Sequence, residues 1–155
     1  MELSALFDAI RHEDLSKVKS LLTAHPEWVK ETDTRGSTPL LLATYYGYTE
    51  LSEEILKYPQ DIDTQDASGN TALMGVCFKG YENLAQTLIQ HGADVNKTNF
   101  NGASALIFAA TFDRPEIIKH LLQAGADKGI KDDRGNTALD HAKMQGLSRI
   151  IEILE

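Results

Sequence analysis

Cysteine is nearly missing from this chain: Cys77 is the only one in 155 residues. A lone thiol makes no internal disulfide and fits a reducing compartment. A cationic excess is missing as well, since 15 Lys and Arg stand against 23 Asp and Glu, a formal net charge of −8. Such a surface repels phosphate backbones and anionic membranes, so nucleic acid and membranes are set aside as partners. A protein with a basic surface is easier to accommodate. No run of about 18 apolar residues occurs, so no membrane-spanning helix is expected. The opening MELSALFDAIRHEDLS carries acids where a secretory signal needs a basic start and an unbroken apolar stretch. The closing RIIEILE carries no lipidation signal. These absences predict a soluble, cytoplasmic, single-domain protein.

Catalytic signatures are absent too. The five histidines are His12, His25, His91, His120 and His141, and no two stand four apart on one helix. There is no His-Glu-x-x-His, no G-x-S-x-G and no phosphate-binding loop. The acids are scattered, as on a solvated surface, rather than paired for catalysis. The expectation is no enzyme, no catalytic residue, no cofactor and no metal. Cys77 reads as a small buried thiol, and His91, just before Gly92, as a surface histidine at a helix C-terminus.

What the chain does have is repetition. The pentapeptide GNTAL begins at Gly69 and again at Gly135, 66 residues later. Midway stands Gly102-Ala103-Ser104-Ala105-Leu106, and one half-step earlier Gly36-Ser37-Thr38-Pro39-Leu40. A fifth copy, Ser4-Ala5-Leu6, lies over Ser104-Ala105-Leu106 at an offset of 100, three periods plus one inserted residue. That insertion is placed in the divergent loop His25-Pro26-Glu27. A fixed period of 33 means stacked supersecondary units rather than a closed globule.

One unit can be read from residues 99–131. Asn99 to Gly102 is a turn in which glycine supplies positive φ. Ser104 is a helix N-cap, and in the second copy Pro39 takes the first helical position, where its missing N–H costs nothing. A short apolar helix then runs to about Phe112. Asp113 stands where other copies have Gly47, Gly80 and Gly146, all suited to a left-handed residue that ends a helix. Pro115 opens a second helix, with Ile117, Ile118, Leu121 and Leu122 at helical spacing, and Gly125 ends it.

Thr38-Pro39-Leu40, the GNTAL copies, and Gly92-Ala93-Asp94-Val95-Asn96 with its echo Gly125-Ala126-Asp127 resemble the ankyrin repeat, whose period is 33 and whose motif is T-P-L-H-x-A. The resemblance covers essentially the whole chain. It implies an all-α solenoid of helix–turn–helix units with β-turn fingers, in about five repeats (1–32, 33–65, 66–98, 99–131 and 132–155), the outer two acting as caps. A concave face would be built from the fingers and the first helices. The resemblance further implies that Asn96 is similar to the asparagine that hydroxylases modify in the ankyrin repeats of animals.

Departures from the motif carry information. The histidine after Leu is replaced by Leu41, Met74, Ile107 and Asp140, so the usual bridge between repeats is not expected there. The next position reads Leu42, Gly75, Phe108 and His141, and the expectation is that the Phe108 ring fills room left by Gly75, making Gly75→Leu an overpacking change. Polar Asp140, His141 and Lys143 in the last repeat, and Asp8, Arg11 and His12 in the first, read as wettable caps of a complete, monomeric array.

Function is sought on the concave face. In ankyrin-like stacks the residues flanking the turn glycine, and the pair just before the helix-ending glycine, tend to lack structural duty. Here they include Arg35, Tyr45, Tyr46, Phe78, Lys79, Phe100, Phe112 and Arg134. Aromatics and Arg dominate binding hot spots, because they bury much area with few rotors to freeze. These eight are the candidate partner-binding residues of a non-catalytic protein-interaction module: an adaptor, inhibitor or immunity-type binder. A haem or small-molecule accessory protein, like the bacterial ankyrin proteins linked to catalase, is the alternative, with Tyr45, Tyr46 or His12 as axial ligand.

Overall fold

Local capping chemistry sets the chain's punctuation. A computed structural model describes residues 2–155. In the four full-motif copies, Thr38, Thr71, Ser104 and Thr137 accept a backbone N–H from Leu41, Met74, Ile107 and Asp140 at 3.2–3.3 Å. Each such N-cap contributes about 1 kcal/mol. They start the inner helices α3 (Pro39–Tyr45), α5 (Ala72–Lys79), α7 (Ala105–Thr111) and α9 (Ala138–Gln145), and α1 (Leu3–Arg11) precedes them. Gly47, Gly80, Asp113 and Gly146 follow in the left-handed region, Asp113 at φ 60°. The return helices are α2 (Leu15–Ala24), α4 (Thr49–Ile55), α6 (Glu82–Gln90), α8 (Pro115–Gln123) and α10 (Ser148–Leu154).

Successive inner helices pack on one another, as do successive outer helices, and each outer helix packs on its own inner one. The result is an all-α solenoid of stacked helix pairs, as the resemblance implies. Its core is a set of ladders at the repeat period. Leu51, Leu84, Ile117 and Ile150 form one, and Ile55, Leu88, Leu121 and Leu154 another, all at most 4% exposed. Each buried side chain of this size stabilises by about 1.5–3 kcal/mol. The register of the first repeat agrees with an insertion after α2. Asp14 N–H donates to Ala9 O just as Arg114 N–H donates to Ala109 O, 100 residues on, and a 3₁₀ turn, Pro26–Lys30, then occupies the divergent loop.

The fingers repeat as regularly. Asp33, Asp66, Asn99 and Asp132 each accept two backbone N–H bonds through one side-chain oxygen, from the residues two and four ahead, at 2.9–3.0 Å. Among the described residues no bridge comes from the position after the motif leucine; the loops supply bridges between repeats, and His120 on α8 adds one, its Nε2 3.1 Å from Glu82 Oε1. Gln65 Nε2 donates to Thr98 O at 3.0 Å and Asp94 N–H to Asp63 Oδ1 at 2.9 Å. The Asn96 side chain donates to Gly125 O and accepts from Asp127 N–H. Asp140, which stands in the histidine's place, instead closes a capping box with Thr137.

One expectation is corrected. Phe108 does not fill the space beside Gly75. A Cβ built on Gly75 meets only Tyr45 Cδ1, at 3.9 Å. The reason is that the Phe108 ring stacks toward Phe112, with centroids 6.5 Å apart and planes at 14°, leaving a gap on the inner-helix face.

Candidate functional site

The inner helices turn one face into the core and the other onto the concave side. In α5, Val76 and Cys77 are fully buried while the next residue, Phe78, is 37% exposed. The same geometry leaves Tyr45, Tyr46 and Phe112 about two-fifths exposed, and Phe100, on its finger, two-thirds exposed. The only other large apolar side chain so exposed among the described residues is Met144. The rings fall into two touching groups. Tyr48 stacks on Tyr46 at 5.6 Å, Tyr46 meets Tyr45 edge-on at 5.9 Å, and Phe78 meets Phe112 edge-on at 4.7 Å. Lys79 Nζ lies 4.8 Å above the Tyr45 ring, a cation–π contact that holds both side chains in place.

Between the second and third repeats this face deepens into a trough of about 930 Å³. Leu42, Tyr45, Met74, Gly75, Phe78 and Phe108 supply its apolar walls, and Arg11, Asp33, Arg35 and Asp66 its polar rim. Arg11 is already engaged, bonding Asp33 Oδ2 at 3.0 Å and Asp8 Oδ1 at 3.3 Å. Asp66 is committed to its own turn through Oδ1. Arg35, Lys79 and Arg134 make no ion pair among the described residues.

The eight candidates therefore divide. Tyr45, Tyr46, Phe78 and Arg35 line the trough, with Lys79 over its Tyr45 wall, and Phe112 extends the wall through Phe78. Phe100 stands apart and packs against the preceding finger: its backbone N–H donates to Ser68 O at 3.2 Å, and its ring covers Gly69. Arg134, exposed on the last finger, lies outside the trough. Some neighbouring positions have structural work. Asn70 Oδ1 accepts from Asn99 Nδ2 at 2.9 Å, and Gln145 Nε2 donates to Thr111 O at 2.8 Å. Sequence reasoning passed over Gly75, Met74 and Phe108 as trough residues, because a groove between helices leaves no local mark. It also passed over the finger acids, although Asp or Asn three residues before each turn glycine was there to be read.

The groups considered for chemistry are dispersed. Cys77 is completely buried and burial pushes its thiol well above the ordinary range, which keeps it protonated and inert. His91 caps α6 at the surface, its Nδ1 2.8 Å from Thr87 O. His12 lies outside the trough, its Nδ1 2.7 Å from Asp8 O. No cluster of three or more His, Cys, Asp or Glu able to hold a metal occurs among the described residues. No helix among them is long and apolar enough to cross a membrane.

Comparison with known families agrees with this architecture. Residues 6–99 match a family model described as ankyrin repeats in three copies, and residues 88–142 one described as ankyrin repeats in many copies. A search of curated proteins found no match.

Proposed function

Because the chain belongs to the ankyrin repeat family, whose repeats are generally protein–protein interaction modules, we propose that it is a non-catalytic binder that receives a partner protein on its concave face. The roles open to it are adaptor, inhibitor or immunity-type partner. The observation that carries the reading is the row of exposed rings: Tyr45, Tyr46, Phe78, Phe100 and Phe112. An exposed apolar patch of this kind marks an interaction site, and a rigid stack loses little ordering entropy on docking. The unbound protein is a cytoplasmic monomer in this reading.

Charge refines the partner. The total of −8 draws a basic protein at long range. On the concave face, however, Arg35, Lys79 and Arg134 have no ion pair among the described residues and outnumber the unpaired Asp66 and Asp133, so close contact favours an acidic patch within that partner. The test is to recover a partner from the native host and measure its affinity. Tyr45→Ala and Phe100→Ala should each cost about 2 kcal/mol of binding, with melting temperatures measured alongside because the Phe100 ring covers Gly69. Unchanged affinity in both variants would overturn the concave-face reading.

A haem or small-molecule accessory role keeps one observation in its favour, the trough walled by Tyr45 and Tyr46. His12, the third ligand considered, lies outside it. A Soret band on haem titration, lost in Tyr45→Phe, supports that role, and a flat titration removes it.

A further inference from the structure

The fold gives Gly75 no reason to be glycine. It sits inside α5 without the positive φ that marks the turn glycines, and its missing side chain leaves room rather than admitting a neighbour. Glycine within a helix is unfavourable relative to alanine. The equivalent positions in the flanking repeats are Leu42 and Phe108, so the absence of a side chain here cuts a notch between a leucine and a phenylalanine, and the trough runs through that notch. Its walls are Leu42, Tyr45, Met74, Phe78 and Phe108. Its cations without an ion pair among the described residues are Arg35 on the rim and Lys79 over Tyr45, and they outnumber the one carboxylate of the lining without an ion pair, Asp66. Of the nearby carboxylates, Asp33 is neutralised by Arg11 and Asp66 is held by its own turn amides.

We infer that the Gly75 notch is the anchor subsite of the concave face, and that it takes one aliphatic or aromatic side chain from an acidic segment of a partner protein, whose carboxylates meet Arg35 and Lys79. This rests on the concave face being the docking surface. The apolar walls supply the anchoring burial, since a side chain entering the notch is desolvated on both flanks. The two free cations give the segment its sign and register, in a chain whose total charge would otherwise repel it. A Cβ-bearing residue at 75 would occupy the space the anchor needs, which accounts for a helix that forgoes alanine.

The experiment uses the full chain, immobilised, and a displayed library of random linear peptides as the probe. Enrichment of peptides with an apolar residue beside Asp or Glu is expected. The best of them should lose on the order of tenfold or more in affinity to Gly75→Leu, less to Gly75→Ala, and several-fold to Arg35→Glu or Lys79→Glu. Gly75→Leu should melt at or above the wild-type temperature, so its loss of binding is not unfolding. No enrichment, a basic consensus, or ligands indifferent to Gly75→Leu would overturn the notch. Ligands that survive Gly75→Leu but are lost in the Phe100→Ala, Phe112→Ala double variant sink the notch alone. Ligands that survive both sink the concave-face reading with it.

Discussion

Gly69 and Gly75 stand six residues apart in one repeat and obey opposite demands. Gly69 belongs to the finger layer. Its φ is +81°, it is buried, and a Cβ there would lie 2.6 Å from Phe100 N and 2.7 Å from the Phe100 ring. Gly75 belongs to the inner-helix layer, in helical conformation, with open space where its side chain would be. The fingers are thus closed against each other at this seam, while the packed inner helices beside them leave a notch open. One layer spends its glycine on backbone geometry and close approach; the other leaves a vacancy facing solvent. Architecture rests on one glycine of the repeat, and the proposed binding on the other.

The largest effect should come from attacking the finger. Gly69→Ala combines a left-handed alanine with a collision against backbone, and is expected to destabilise by about 2–4 kcal/mol in denaturant titrations. A loss under half of that would mean that the fingers yield, and the contrast with Gly75 would fade. Removing the cap between the two glycines, Thr71→Ala, strips Met74 N–H of its acceptor and should cost about 1 kcal/mol. Gly75→Ala goes the other way and should stabilise by about 0.5–1 kcal/mol, read as a higher melting temperature. A lower one would show that the notch is sterically closed after all.

The smallest effect is expected on the last finger. Burial alone would raise the Asp132 carboxyl, but hydrogen bonds from Asn136 N–H, His141 and Arg134 N–H, with the His141 charge, outweigh it and hold it below the ordinary value. A carboxylate depressed in the folded state stabilises above its unfolded pKa, and that contribution is lost as pH falls through the folded value. Stability should therefore decline on acidification below about pH 4. Asp132→Asn keeps the turn acceptor, as Asn99 does in the preceding repeat, so it should cost less than about 1 kcal/mol at neutral pH and flatten that acid limb. An unchanged limb would remove Asp132 from the account.

Much of the fold was legible because its determinants are local and recur. The cap at Ser104, the helix-opening Pro39 and Pro115, and the left-handed Asp113 all depend on residues within a few positions of one another. Repetition at 33 made each reading checkable against its copies. The exposure of the five rings was legible for the same reason, since once the inner helices are placed, position along the repeat decides which face a side chain meets. What escaped is what depends on neighbouring repeats. Phe100 looked free but covers Gly69, and Asn70 looked free but holds Asn99. Phe108 looked like the filler for Gly75 but turns toward Phe112. Each outcome hangs on a rotamer chosen by packing across a seam, to which no local pattern in the chain refers.

By itself the sequence determined the repeat, its five-fold count, the helix ends and the all-α class, because capping, turn formation and apolar periodicity act within one unit of 33 residues. Tertiary structure alone decided the trough. Whether a missing side chain is filled or left as a notch depends on how three separate repeats share one surface, and that is settled only when the helices are packed together.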